Sequence, residues 1–169
     1  MSALKQAATD FLAHRRIAVA GVSRDPRGTA NAICRSLRHA GYEVFAVNPN
    51  ADEIEGERCY RSLAAIPGGV EGVVVVTHPS AAAGVVRECA ALGIARVWLH
   101  HGPGPTRASP EAIAECERAG IALIEGGCPL MFLEHADLGH RCMRWFFGVT
   151  GKLPDGGRYH TGAQESAGV

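Results

Sequence analysis

Apolar and polar positions alternate in blocks along this chain, and the period changes from block to block. Residues 2–14 have the mixed spacing of a short helix. Residues 17–21 are apolar and end on a glycine, as a strand entering a turn does. Ala30, Ile33, Cys34 and Leu37 then recur at helical spacing, with Gly41 placed to stop that helix. Residues 43–47 are β-branched or aromatic and alternate, which predicts a second strand. A connector containing Tyr60 follows, with a short helix near residues 62–66 closed by Pro67, Gly68 and Gly69. Residues 72–77 include four consecutive valines, Val73 to Val76, and a strand apolar on both faces belongs inside a parallel sheet.

The second half repeats the alternation. Pro79 suits the first position of a helix whose buried face would be Val85, Val86, Cys89 and Leu92. Residues 96–100 read as a strand. Ser109, Pro110 and Glu111 form a helix-start signature for a segment ending at Gly120, and residues 121–124 read as the last strand. Strands and helices in strict alternation, joined by short connections, predict an α/β, Rossmann-like, doubly wound parallel sheet of about five strands with helices on both faces. Residues 1–154 are expected to form one domain, with a helix at about 135–148 packed on it or on a partner. Residues 155–169, glycine-rich and polar, read as a loose tail.

Composition narrows the function classes. With 17 basic and 17 acidic residues the formal charge is balanced, so no basic patch argues for nucleic acid. No apolar run has the length of a membrane span, and the start of the chain lacks the charged and apolar regions of a signal peptide. The six cysteines are scattered without a C-x-x-C pair, which fits buried thiols in a reducing cytoplasm better than disulfides. The expected location is cytoplasmic.

In a doubly wound sheet, ligands lie beyond the carboxyl ends of the strands. That rule selects residues 22–29, 48–50, 77–79, 100–102 and 126–129. The first of these loops carries Val22, Ser23, Arg24, Pro26, Arg27 and Thr29 after Gly21. It offers backbone amides, a hydroxyl, a helix N-terminus and two guanidinium groups, all suited to phosphate. The G-x-G-x-x-G fingerprint is absent, since the next glycine after Gly21 is Gly28. The second loop reads Val47, Asn48, Pro49, where an NAD site usually carries an acid for the ribose 2′-OH; Asp52 and Glu53 come several residues later. A neutral Asn48 tolerates a phosphorylated ribose.

The runs AGVSRDP, GYEVFAVNPNADEIEGERCYRSLAAIP, VEGVVVVTHPS and VWLHHG resemble the CoA-binding domain family, the small stand-alone relatives of the N-terminal domain of the succinyl-CoA synthetase α subunit. The resemblance covers about residues 11–130, and the V-N-P segment with its E-x-x-G-x-x-x-Y-x-S-L continuation carries most of it. It implies coenzyme A or an acyl-CoA as the ligand. By position, Gly21, Val22, Ser23 and the following loop would cradle phosphate. Val47, Asn48 and Pro49 would line the adenosine end. Val76, Thr77, His78 and Pro79 would lie against the ligand's middle or its adenine. Three positions depart from the family pattern. Thr29-Ala30 stands where relatives have a serine. Asn50 stands where they often have Lys or Arg. His100, His101 and Gly102 replace a Gln-x-Gly segment. The synthetase's phosphohistidine segment has no counterpart here, so the resemblance implies binding rather than that catalysis.

The residues themselves point the same way. His100 and His101 are adjacent at a strand end and should point to opposite sides, which disfavours a shared metal; His100 is read as a hydrogen-bond partner. No metal site is expected, because His135, His140 and Cys142 lack zinc-ligand spacing. Cys128, in Gly-Gly-Cys-Pro at a strand end, is placed on the ligand edge, where its thiol could form a mixed disulfide with CoA. Leu138, Cys142, Trp145 and Phe146 share one helical face in the C-terminal segment. That face would dock on the sheet, on a second copy of the chain, or on a larger enzyme partner. Three readings stay open: a CoA-binding protein without catalysis of its own, an NAD(P)-dependent oxidoreductase, and a CoA-binding subunit of a larger acyl-CoA enzyme.

Overall fold

The computed structural model describes residues 3–101 and 108–133. The element order is α1 (Ala3–Ala13), β1 (Arg16–Ala20), α2 (Thr29–His39), β2 (Glu43–Val47), β3 (Glu53–Ile54) and β4 (Glu57–Tyr60). Then come β5 (Gly72–Val75), α3 (Pro79–Ala91), β6 (Arg96–Leu99), α4 (Pro110–Ala119) and β7 (Ala122–Glu125). Short 3-10 turns occupy Leu63–Ala65 and Pro129–Phe132. Gly102, the expected helix at 135–148 and the tail at 155–169 lie outside the described residues.

The strands form one sheet in the order β3-β4-β2-β1-β5-β6-β7, parallel except for the antiparallel β3–β4 pair. The chain leaves β1 in one direction through β2 and later returns beside it as β5, so the direction of winding reverses between β1 and β5. This is the doubly wound α/β topology expected from the pattern, with seven strands instead of about five. The two extra strands are a hairpin inside the connector. Its turn residues, Glu55 and Gly56, both have positive φ, 53° and 75°. A two-residue turn of that kind is usually signalled by Asn-Gly or Asp-Gly, and Glu-Gly hid it.

The sheet separates two apolar layers. Ile17, Val19, Val74, Trp98 and Ile124 face α1 and α2, where Ala8, Phe11, Ile33 and Leu37 are buried. Ala18, Ala20, Val73, Val75, Val97, Leu99 and Leu123 face α3 and α4, where Val86, Cys89, Ala112 and Cys116 are buried. Alternate residues of each central strand feed opposite layers, which is why the valine run carries no polar face. Trp98 is fully buried, meets the Phe11 ring edge-on at 5.4 Å, and donates its indole N–H to the Gly126 carbonyl at 3.0 Å. Leu92 corrects the expected face of α3. It sits at the helix C-terminus and is 45% exposed, while Ala82, Ala83, Val86 and Cys89 make the buried stripe. The stripe turns off the core one residue before Leu92, because the helix ends there. The five described cysteines are free thiols, four of them buried and Cys128 half-buried.

Candidate functional site

Register places the carboxyl ends of five strands at one level. Ala20 pairs with both Val47 and Val75, Val75 pairs with Leu99, and Leu99 with Glu125. One residue further, the amides of Gly21, Asn48, Val76, His100 and Gly126 each bond a carbonyl of the neighbouring strand or its extension. The loops that follow therefore leave from a common rim. Gly21 has φ +107°, and a Cβ there would lie 2.8 Å from the Val76 carbonyl, so only glycine lets loop one pass so close to β5.

A cleft of about 270 Å3 opens on this rim beyond β5 and β6. Thr29, Val76, Thr77, Pro79 and His100 line it, five of the residues singled out from the sequence. His101 and Ser109 line it as well, with Val75, Ala82, Leu99 and Ala108 as apolar wall. Three helix starts thus converge here: Thr29 opens α2, Pro79 opens α3, and Ser109 caps α4. Each contributes the partial positive charge of its unpaired amides. Two of them are self-satisfied. The His78 ring nitrogen accepts from the Ser80 amide, and the Ser109 hydroxyl accepts from the Ala112 amide. No side chain caps α2, whose N-cap is Gly28.

Both histidines border the same cleft, and the His101 ring also lies against Gly126 just after β7. Burial pushes the His100 imidazole down to about 4, and the neighbouring His101 adds to the shift. His100 is neutral at physiological pH and can both donate and accept. Thr77 carries the other signal. Its Oγ1 is buried and has no hydrogen-bond partner among the described residues. A buried hydroxyl without a partner is rare, and it keeps unused hydrogen-bonding capacity at this edge of the sheet.

Loop one is held from within. The fully buried Asn31 of α2 accepts from the Ser23 amide through Oδ1 at 3.0 Å and donates through Nδ2 to the Ser23 carbonyl at 2.8 Å. The Ser23 amide is therefore spent, although the sequence reading offered it to a ligand. Arg27 folds back on Asp25, its side chain and its amide both donating to that carboxylate. Arg24 reaches across to the Asn50 carbonyl at 3.0 Å and has no carboxylate partner among the described residues. Pro26 is exposed at the crest of this loop.

Loop two is tied to loop one. Asn48 donates to the Val22 carbonyl at 2.7 Å and accepts from the Asn50 amide at 2.8 Å. Val22 and Val47 are buried, and Pro49 is exposed. His78 sits on the rim with its ring turned to Ser80. Cys128 packs against the α1–α2 layer and does not line the cleft. Burial raises its thiol above the ordinary range. Asn31, Glu55 and Ser109 were not among the rim residues selected from the sequence, whereas His101 lies in the selected loop 100–102. Asn31 left a trace, a polar residue beside the apolar stripe of α2. Among the described residues no group of three or more His, Cys, Asp or Glu side chains could hold a metal ion, and no helix is long and apolar enough to cross a membrane.

Comparisons with known proteins agree with this architecture. An acetate–CoA ligase [ADP-forming] II subunit alpha from Pyrococcus furiosus is 27% identical over 135 residues, 76% of this chain but only 30% of that protein. The uncharacterized protein YneT of Bacillus subtilis is 33% identical over 88 residues, 52% of this chain and 65% of its own length. The chain thus spans less than two thirds of each of these relatives. A hypothetical protein from Pyrococcus horikoshii superposes with a TM-score of 0.69 at 26% identity, covering 78% of this chain and 91% of that one. The family model described as CoA binding domain matches residues 15–134, so the rim, its loops and the cleft all fall within the match, and the chain belongs to the CoA-binding domain family.

Proposed function

We propose that this protein binds coenzyme A or an acyl-CoA across the carboxyl rim of its sheet, and that it does so without chemistry of its own. The observation that carries the reading is the cleft where three helix starts converge, lined by Thr77, whose hydroxyl has no partner among the described residues, within the residues that match the family. The phosphates would take the outer part of the rim. There the uncapped start of α2 and the guanidinium of Arg24 offer positive charge that no side-chain acid among the described residues neutralises. The cleft suits a neutral chain with amide groups. Its lining mixes apolar residues (Val75, Ala82, Leu99, Ala108) with polar ones, His100 is uncharged, and Thr29 and Thr77 are among the lining residues. The pantetheine arm has that chemistry. Loop two supports a phosphorylated ribose in preference to NAD, because Asn48, not an acid, follows β2 and its amide is already engaged.

Thermal unfolding with CoA, acetyl-CoA, dephospho-CoA, NAD and NADP tests the reading, since a ligand that binds only the folded state raises the midpoint with concentration. CoA should raise it more than dephospho-CoA and far more than NAD. A rise with NAD and none with CoA would refute it. The Pyrococcus furiosus relative favours a second reading, in which the chain serves as the CoA-binding part of a larger acyl-CoA enzyme. Stable co-purification with a ligase subunit would favour that assignment, and CoA binding by the isolated chain with no such partner would favour the first.

A further inference from the structure

We infer that Glu55, at the tip of the β3–β4 hairpin, is a positioning residue for the ligand loop between β1 and α2. The inference rests on the proposed reading that this loop receives the ligand.

The backbone supplies the first observation. Glu55 has φ 53°, and it is the only residue other than glycine with positive φ among the described residues. A side chain in the left-handed region costs conformational energy that glycine would not. The turn already uses glycine at the next position, Gly56. A glutamate at position 55 therefore needs a compensating role for its carboxylate.

The side chain supplies the second. The Glu55 side chain turns back over α2 and is 28% exposed, although the residue as a whole lies at the exposed hairpin tip. One carboxylate oxygen accepts from Arg35 at 2.6 Å, and the other accepts from Asn31 Nδ2 at 3.3 Å. Asn31 is 1% exposed and gives its remaining bonds to the Ser23 amide and carbonyl. All the hydrogen-bonding capacity of its NH2 group is thus committed, one hydrogen to Ser23 and one to Glu55. A carboxylate only accepts, so Glu55 takes the second Nδ2 hydrogen and reinforces the orientation in which the Asn31 oxygen faces the Ser23 amide. Three distant segments meet through one buried amide: the hairpin tip, the first turn of α2 and loop one. Arg24, the rim guanidinium with no acid partner among the described residues, is the next residue along the loop. The hairpin thereby sets the frame on which Arg24 and the α2 start are presented.

Three measurements on the full chain separate positioning from mere support. Glu55→Gly removes the carboxylate and relieves the backbone, so its unfolding midpoint should stay close to the wild type. Its Ser23 amide should exchange with solvent about ten-fold faster by NMR, while the core amide of Val74 is unaffected; its dissociation constant for CoA, by calorimetry, should rise about ten-fold. Glu55→Gln keeps an acceptor for Asn31 and should bind CoA within about two-fold of the wild type. Unchanged Ser23 exchange in Glu55→Gly overturns the inference whether or not CoA binds. Equal acceleration at Ser23 and Val74 overturns it too, as general loosening. Faster Ser23 exchange with unaltered CoA affinity overturns the link to the ligand. A wild-type protein that ignores CoA refutes the proposed function instead, and the exchange result still decides the positioning role.

Discussion

Replacing Thr77 by valine should make the protein more stable and a poorer binder. Valine matches threonine in shape and in β-branching, so it fits the end of β5 without a new cavity. The difference is the hydroxyl. Among the described residues Thr77 Oγ1 is buried without a partner, and burying a hydroxyl in that state costs about 1–3 kcal/mol. The residue as a whole is partly exposed, so the lower end of that range applies, about 1 kcal/mol. For a domain of this size that corresponds to a rise of roughly 2–4 °C in the unfolding midpoint. A ligand that bonds Thr77 recovers the cost on binding, so the variant should lose about 1 kcal/mol of affinity, roughly five-fold. Scanning calorimetry of both proteins, with and without CoA, reads the two effects together. The free variant should melt higher, and its CoA-induced rise should be smaller. A variant that melts lower than the wild type and keeps the full CoA response would refute the reasoning, because the hydroxyl would then be satisfied in the free protein and idle in the complex.

Gly21→Ala should destabilise the fold by about 3 kcal/mol or more, read by urea denaturation, because the added carbon meets the Val76 carbonyl at 2.8 Å on a backbone with φ +107°. Arg24→Ala should weaken CoA binding about five-fold and erase most of the preference for CoA over dephospho-CoA, whereas Arg27→Ala, whose charge already faces Asp25, should change little in titration calorimetry. His100 predicts a pH dependence. Its pKa is lowered on folding from 6.5 to about 4, so the unfolded chain binds the extra proton between those values. The stability contribution is complete above pH 6.5 and is lost as pH falls toward 4. His100→Asn should flatten that part of the profile in denaturation experiments across pH, and an unchanged slope would count against the neutral, buried ring.

The strands and the rim were legible in the sequence for physical reasons. Val73 to Val76 admit no polar face, so β5 had to be central, and the rim followed from topology alone. Ser109, Pro110 and Gly120 announced both ends of α4: the hydroxyl caps the Ala112 amide, and Gly120 takes the left-handed conformation at φ 65°. Short-range chemistry fails where tertiary partners decide. The β3–β4 hairpin needs Glu55 in a conformation that its own type disfavours, and only Arg35 and Asn31, 20 and 24 residues away, compensate for it. Loop one looked open to phosphate because its residue types are right. Asn31 claims the Ser23 amide from eight residues along the chain, and its only trace in the sequence is a polar residue beside the apolar stripe of α2. Cys128 shows the converse. Its place after β7 pointed to the rim, and the following Pro129–Phe132 turn carries it toward the α1–α2 layer.

The placement of the thiols gives the two faces of the sheet separate clocks. Cys34 lies in the α1–α2 layer, Cys89 and Cys116 lie between α3 and α4, and burial pushes all three up to about 12. A thiol in that condition does not meet an aromatic disulfide reagent until its surroundings part. In single-cysteine versions of the chain, the labelling rate of Cys34 would time the opening of one layer and that of Cys89 the other. Different rates would show that the halves breathe independently about the sheet, and a common rate would show that they come apart only together.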